Sequence, residues 1–260
     1  MRRPGLLGRV LLLVTLGVDA SACGGASSPP SPSPSPSPPT STSTSTSARV
    51  APTPADTFVD PAATAEDARL VPAAVDAAFA HVSGVLGPLR SPRPAIVLCQ
   101  SDTCARSFVG TTGLPRALAP GDRAPGASYV APRDRSAIVV PRFGTRLRNL
   151  LAHELVHIEL RARLAPGAMP TWFEEGLATS VGDHPPCDGA AAKGIDDLAL
   201  VATPRAWETY LLEHPDEALA TICQARAEVE AWGATRGAAG LGRLLAALER
   251  GEPFAAAVGR

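Results

Sequence analysis

Leu150-Leu151-Ala152-His153-Glu154-Leu155-Val156-His157-Ile158-Glu159-Leu160 lies inside a run, 145–164, that reads as one helix. Leu147, Leu150, Leu151, Leu155, Ile158 and Leu160 supply its apolar surface, and Pro166-Gly167 provides the stop. At 3.6 residues per turn, positions four apart differ by only ~40° in direction. His153 and His157 therefore share one face of this amphipathic helix, a single turn apart. Two imidazoles at that separation suit one tetrahedral zinc ion. Glu154, the next residue round, stands beside such an ion rather than on it. There its carboxylate can take a proton from a water that the metal activates.

A catalytic zinc takes three protein ligands and keeps one position open. Downstream, Met169-Pro170-Thr171-Trp172-Phe173-Glu174-Glu175-Gly176-Leu177-Ala178 starts a second helix, with Thr171 as its expected N-cap and Val181 near its end. It carries two adjacent glutamates. HELVH followed by WFEEGLA resembles the gluzincin clan of zinc peptidases, and in particular its small peptidase MA-like members. The resemblance spans about residues 95–258, and its specific motifs occupy 153–157 and 170–178. It implies that the glutamate before the glycine, Glu175, completes the metal site, eighteen residues after His157. Glu174 points about 100° away around the helix and is expected to be solvated or to hydrogen-bond at the N-terminal turn. The family reading further implies that Gly176 lets the second helix pack close on the first, and that Trp172 and Phe173 wedge between helix and sheet.

The resemblance also implies partners for this first set. Relatives place a carboxylate one turn after the third ligand, supporting a zinc histidine; here that position is Thr179, with Asp183 or Glu159 as alternative acids. Relatives use a tyrosine or histidine to stabilise the oxyanion, for which Tyr210 and His184 are the candidates, with His214 behind them. An edge strand, Tyr129-Val130 or Ala137-Ile138-Val139, would bind the substrate backbone. Gly126-Ala127-Ser128-Tyr129-Val130 has no acid to hold a free amine, so aminopeptidase activity is not implied.

The N-terminus reads as an export signal. Arg2 and Arg3 precede the apolar run Leu6 to Val18, and Ser21-Ala22 offers a cleavage site. Ala20-Ser21-Ala22-Cys23 resembles a bacterial lipobox, in which Cys23 would be acylated. The expected organisation is a signal peptide over 1–22, a Ser/Pro/Thr-rich linker over 23–55 with Cys23 as lipid anchor, and a catalytic domain over 56–260. The location implied is extracytoplasmic: anchored to the bacterial cell membrane through Cys23, or simply secreted. Export leaves Cys99, Cys104, Cys187 and Cys223, an even number suited to two disulfides. Cys99–Cys104 and Cys187–Cys223 are the favoured pairs; a four-cysteine zinc site is the weaker reading, because none of the four forms a CxxC.

The net charge of −1 over 260 residues gives no electrostatic case for nucleic acid or an anionic membrane surface as partner. With aromatics at 4%, the core should be mostly aliphatic. Glu66 to Leu86 has apolar residues at helical spacing before Gly87-Pro88. Ala95 to Cys99 reads as a buried strand, as do Ala127 to Val130 and Ser136 to Val140 on either side of a turn. Beyond about Asp196 the pattern is helical, with breaks near Pro204, Pro215, Gly237 and Gly251. The fold class expected is α+β: a small twisted sheet packed on the HExxH helix, then a helical C-terminal lobe, zincin-like by resemblance. The function implied is zinc-dependent cleavage of a peptide or protein substrate with Glu154 as general base. The alternatives are a surface lipoprotein that keeps the fold as a binding module, and a cell-wall amidase using the same zinc chemistry.

Overall fold

Parallel strands need a crossover, and the first half of the chain supplies one. In the computed structural model the sheet runs β1 (Pro52–Thr53), β2 (Thr57–Val59), β3 (Ala95–Cys99) and β4 (Ala137–Pro141), in that spatial order. β1 pairs antiparallel with β2, whereas β2, β3 and β4 are parallel, in register Val59↔Leu98 and Leu98↔Val140. The structure describes residues 52–53, 56–105, 107, 137–183, 187, 194–237 and 239–259, all within the compact unit Ser47–Arg260. The strand expected over 127–130 and the anchor Cys23 lie outside these residues.

β3 and β4 are continuous apolar runs because both of their faces are covered. Ile96, Leu98, Ile138 and Val140 face the main core, while Val97, Cys99 and Val139 pack with Ala105 and Cys104 on the other side. The Cys99–Cys104 disulfide closes that second face. Asp60 joins the strand ends: its carboxylate accepts from the backbone N–H groups of Ala62, Gln100 and Ser101 and from the Ser101 hydroxyl. β1 falls inside the stretch expected to be linker. Two residues paired at the sheet's edge are too short a run to leave a periodic signal.

The crossover between β2 and β3 is helix α1 (Ala65–Leu86), capped by Thr64, whose hydroxyl accepts from the Asp67 N–H. Its buried stripe, Val71, Val75, Ala78, Val82 and Leu86, repeats at three- and four-residue intervals and packs on helix α2 (Leu147–Arg163). The sequence suggests an amphipathic α2, but the whole run from Leu150 to Leu160 is buried. α2 is the central helix, and its polar residues His153, Glu154, His157 and Glu159 must be satisfied inside the protein.

Helix α3 (Thr171–Gly182) follows, with Pro170 and not Thr171 at the N-cap position. A 3-10 turn (Leu198–Val201) then leads into α4 (Pro204–Glu213), α5 (Ala218–Arg236), α6 (Gly240–Glu249) and α7 (Phe254–Val258). α3 lies between α2 and α5, and glycine sets both approaches. A Cβ on Gly176 would fall 2.3 Å from the Ala225 carbonyl oxygen, so the close contact of Gly176 is with α5, not with α2 as the family reading implies. The glycine that meets α2 is Gly182, where a Cβ would come within 2.8 Å of the Asn149 carbonyl oxygen and of the His153 N and Cβ atoms. The aromatic pair also serves the helical layer: the Phe173 ring meets Trp172, Trp232 and Phe254 edge-on at centroid distances of 5.5, 5.3 and 5.0 Å. Phe173 belongs at the same time to the main core that holds the strand residues Ile96, Leu98, Ile138 and Val140, with Trp172 packed against it.

Candidate metal centre

α2 carries His153, Glu154 and His157, and α3 carries Glu174 and Glu175. Two anchors fix the helices relative to each other at the far end of α3. One is the backbone-to-backbone approach at Gly182; the other is His81 of α1, whose Nε2 lies 2.8 Å from the Val181 carbonyl oxygen. α3 thus descends along α2 with its first turns facing the two histidines.

The Nε2 atoms of His153 and His157 are 3.2 Å apart, and Glu175 Oε2 lies 3.8 Å from the first and 3.7 Å from the second. A tetrahedral zinc with ligand bonds near 2.1 Å sets its ligands about 3.4 Å apart. The observed edges of 3.2, 3.7 and 3.8 Å each lie within about 0.4 Å of that spacing, so the three donors fit the ion with only a small adjustment of side chains. His153, His157 and Glu175 could accordingly hold a metal ion. Glu154 is buried too, with Oε1 3.9 Å from His153 Nε2, beside the triangle and not a corner of it.

The electrostatics call for a cation here. Burial lowers the pKa of His157, but the carboxylate of Glu175, the hydrogen bond that the ring donates to Glu174 and the charges of Glu174 and Glu154 outweigh it and push it up to about 9. Burial, together with the charges of Glu154 and Glu174, raises the pKa of Glu175 against the opposing pull of His157. Two ring nitrogens 3.2 Å apart with both lone pairs directed at each other would repel. A proton or a metal between them removes the conflict.

Glu174 is half-buried, and its carboxylate reaches across to α2. Its Oε1 lies 2.8 Å from His157 Nδ1. Burial works against its ionisation, yet the hydrogen bond and charge of His157 hold its pKa below the ordinary value. Sequence reasoning missed this contact. The signal was the glutamate doublet itself: adjacent helical positions diverge by ~100°, so one carboxylate can face an ion while its neighbour reaches the outer nitrogen of a ligand ring.

Of the three other candidates for supporting a zinc histidine, Asp183 and Glu159 are engaged elsewhere. Thr179 is fully buried, and its hydroxyl has no hydrogen-bond partner among the described residues. Asp183 accepts from Arg226 at 2.7 Å. Glu159 takes the backbone N–H groups of Arg90 and Ser91 and the Arg163 side chain at 2.6 Å, tying the segment after α1 to α2. Tyr210 stands on α4. Its hydroxyl donates to Glu217, its ring stacks on His214 at 4.5 Å, and it lines a pocket with Asp196, Arg205 and Glu213 that includes none of the three. His184 lies outside the described residues. Cys187 and Cys223 form a disulfide that ties the segment after α3 to α5.

Comparison of the chain with protein-family models, with curated proteins and with solved structures finds no match.

Proposed function

We propose that this chain is a zinc-dependent hydrolase of peptide bonds, with a zincin-like catalytic domain of the gluzincin type. The observation that carries the reading is the triangle of His153 Nε2, His157 Nε2 and Glu175 Oε2, with edges of 3.2, 3.7 and 3.8 Å, beside a second acid, Glu154, that has no place in it. A purely structural ion needs no such acid; a hydrolytic site needs a base within reach of its water. The bound zinc would supply Lewis acidity, polarising a water and the carbonyl to be cleaved. The two histidines and Glu175 hold and orient that charge. Glu154 accepts a proton from the attacking water and returns it to the leaving nitrogen. Leu155, Val156 and Ile158, all buried, keep α2 rigid and water away from the back of the site.

The substrate class follows from the resemblance of HELVH and WFEEGLA to the peptidase MA-like proteins. The Ala20-Ser21-Ala22-Cys23 pattern supports export, with a lipid on Cys23 as membrane anchor. A second reading, a binding module that keeps the metal without turnover, is favoured by one observation: the tyrosine best placed by sequence spends its hydroxyl on Glu217. One experiment separates the two. Bound zinc and cleavage of a peptide library are measured for the wild type, Glu154→Gln and Glu175→Gln. Hydrolysis by the wild type, abolished in Glu154→Gln with zinc retained, supports the hydrolase. Zinc in the wild type and in Glu154→Gln, with cleavage by neither, leaves the binding module.

A further inference from the structure

We infer that Glu174 positions His157 for the metal, the role that the resemblance assigns to a residue one turn beyond the third ligand. The inference rests on the reading of His153, His157 and Glu175 as a metal site. An ionised carboxylate can only accept hydrogen bonds. At 2.8 Å from Glu174 Oε1, Nδ1 of His157 must therefore carry the proton. A neutral ring protonated there presents the Nε2 lone pair, and Nε2 is the atom that faces His153 and Glu175. Glu174 thereby selects the tautomer and fixes the plane of the ring.

Two features hold Glu174 in place. Its N–H bonds the Pro170 carbonyl oxygen at 3.1 Å in the first turn of α3. The preceding Phe173 is locked among Trp172, Trp232 and Phe254. The glutamate doublet thus divides its labour: Glu175 faces the ion and Glu174 faces the ring that binds it. Carboxylates that orient a ligand histidine in this way typically contribute 10–100-fold in metal affinity.

The test compares zinc affinity, by chelator competition, in the wild type, Glu174→Ala, Glu174→Gln and Glu175→Gln, with folding followed by circular dichroism. The expected result is a ~10–100-fold loss in Glu174→Ala and substantial recovery in Glu174→Gln, whose amide oxygen can still accept the Nδ1 proton. Nitrogen-15 spectra of the zinc-loaded protein should show His157 protonated at Nδ1 in the wild type and in Glu174→Gln. A role confined to packing would move neither the tautomer nor the recovery. Wild-type affinity in a folded Glu174→Ala, alongside loss in Glu175→Gln, overturns the inference and leaves the metal reading standing. Absence of zinc binding by the wild type overturns the metal reading itself. Should Glu174→Ala fail to fold, a folded Glu174→Gln that has lost the Nδ1 proton yet keeps full affinity overturns the inference.

Discussion

Gly182 and His153 meet with no room for a side chain between them: a Cβ on the glycine would lie 2.8 Å from both the backbone nitrogen and the Cβ of the histidine. The crossing of α3 over α2 is fixed at that contact. Glu175 sits two turns back along α3, so a shift at Gly182 swings its carboxylate relative to the histidine pair.

Gly182→Ala should therefore weaken metal binding as well as stability. The added methyl forces backbone to separate from backbone, an overpacking cost of about 1–3 kcal/mol. Gly176→Ala should cost at least as much, since its Cβ would fall 2.3 Å from the Ala225 carbonyl oxygen. Gly233 is the control: it lies within α5 with nothing within 4 Å of an added Cβ, so Gly233→Ala should stabilise by up to about 1 kcal/mol. Thermal melts and zinc titrations on the three variants check the ranking. Equal melting temperatures for all three would show that these approaches do not constrain the helices.

Metal uptake should depend steeply on pH. In the metal-free protein, Glu175 and Glu174 outweigh burial and hold the His157 pKa at about 9, so near neutrality its ring carries an extra proton that zinc must displace. Apparent affinity should rise about tenfold per pH unit up to the neighbourhood of that pKa and then level off. The sign for stability runs the other way. A folded pKa raised above the ordinary 6.5 contributes stability that is full below 6.5 and lost as pH rises through about 9. Calorimetry near pH 7 in buffers of different ionisation enthalpy should report about one proton released per zinc. Binding without proton release would contradict this electrostatic picture.

The sequence was a good guide where one element carries its own signal and a poor one where two elements must cross. α2 was legible because its leucines recur at helical spacing and Pro166-Gly167 marks its end, and β3 because five apolar residues follow Pro94. β2 was not, since three residues with Phe58 exposed leave no alternation to read. The contact of Glu174 with His157 depends on how α3 crosses α2, which Gly182 and not the motif determines. Gly176 was assigned to the wrong neighbour for the same reason: a glycine announces a close approach without naming the partner. The bond of Tyr210 to Glu217 spans the break between α4 and α5, again a contact between elements that neither run announces by itself.

Glu159→Ala should destabilise the protein while leaving the three metal ligands in place. The change leaves the Arg90 and Ser91 N–H groups and Nε of Arg163 without their acceptor, while Arg163 keeps the Pro88 carbonyl and Glu249, a loss of about 1–3 kcal/mol for each buried donor left unpaired. Burial alone would raise the Glu159 pKa, but the N–H groups of Ser91 and Arg90 and the Arg163 bond lower it below the ordinary 4.5. A depressed folded pKa contributes stability that is full above 4.5 and lost as pH falls through the folded value. Denaturant melts should therefore show a wild-type advantage over Glu159→Gln that is constant above about pH 5 and shrinks in acid. An advantage independent of pH down to full acid unfolding would show that the carboxylate's charge is not what binds the segment after α1.

The two disulfides should differ in worth because they close loops of different length. Cys187–Cys223 spans 36 positions and Cys99–Cys104 only 5. By loop-closure entropy the longer link stabilises by about 4 kcal/mol and the shorter by about 2. The longer one also ties the segment that leaves α3 to α5, on which Gly176 packs. Replacing Cys187 and Cys223 by serine should therefore lower the melting temperature more than replacing Cys99 and Cys104. It should also weaken zinc binding, since it loosens the support of the helix that carries Glu175. The Cys99 and Cys104 replacement touches the face of the sheet opposite the main core, where Val97, Val139 and Ala105 pack, and should leave zinc affinity unchanged. Melting curves and chelator competition on the two double variants decide the point; a larger loss of zinc affinity in the Cys99 and Cys104 variant would place the support of the site on the sheet instead of on α5.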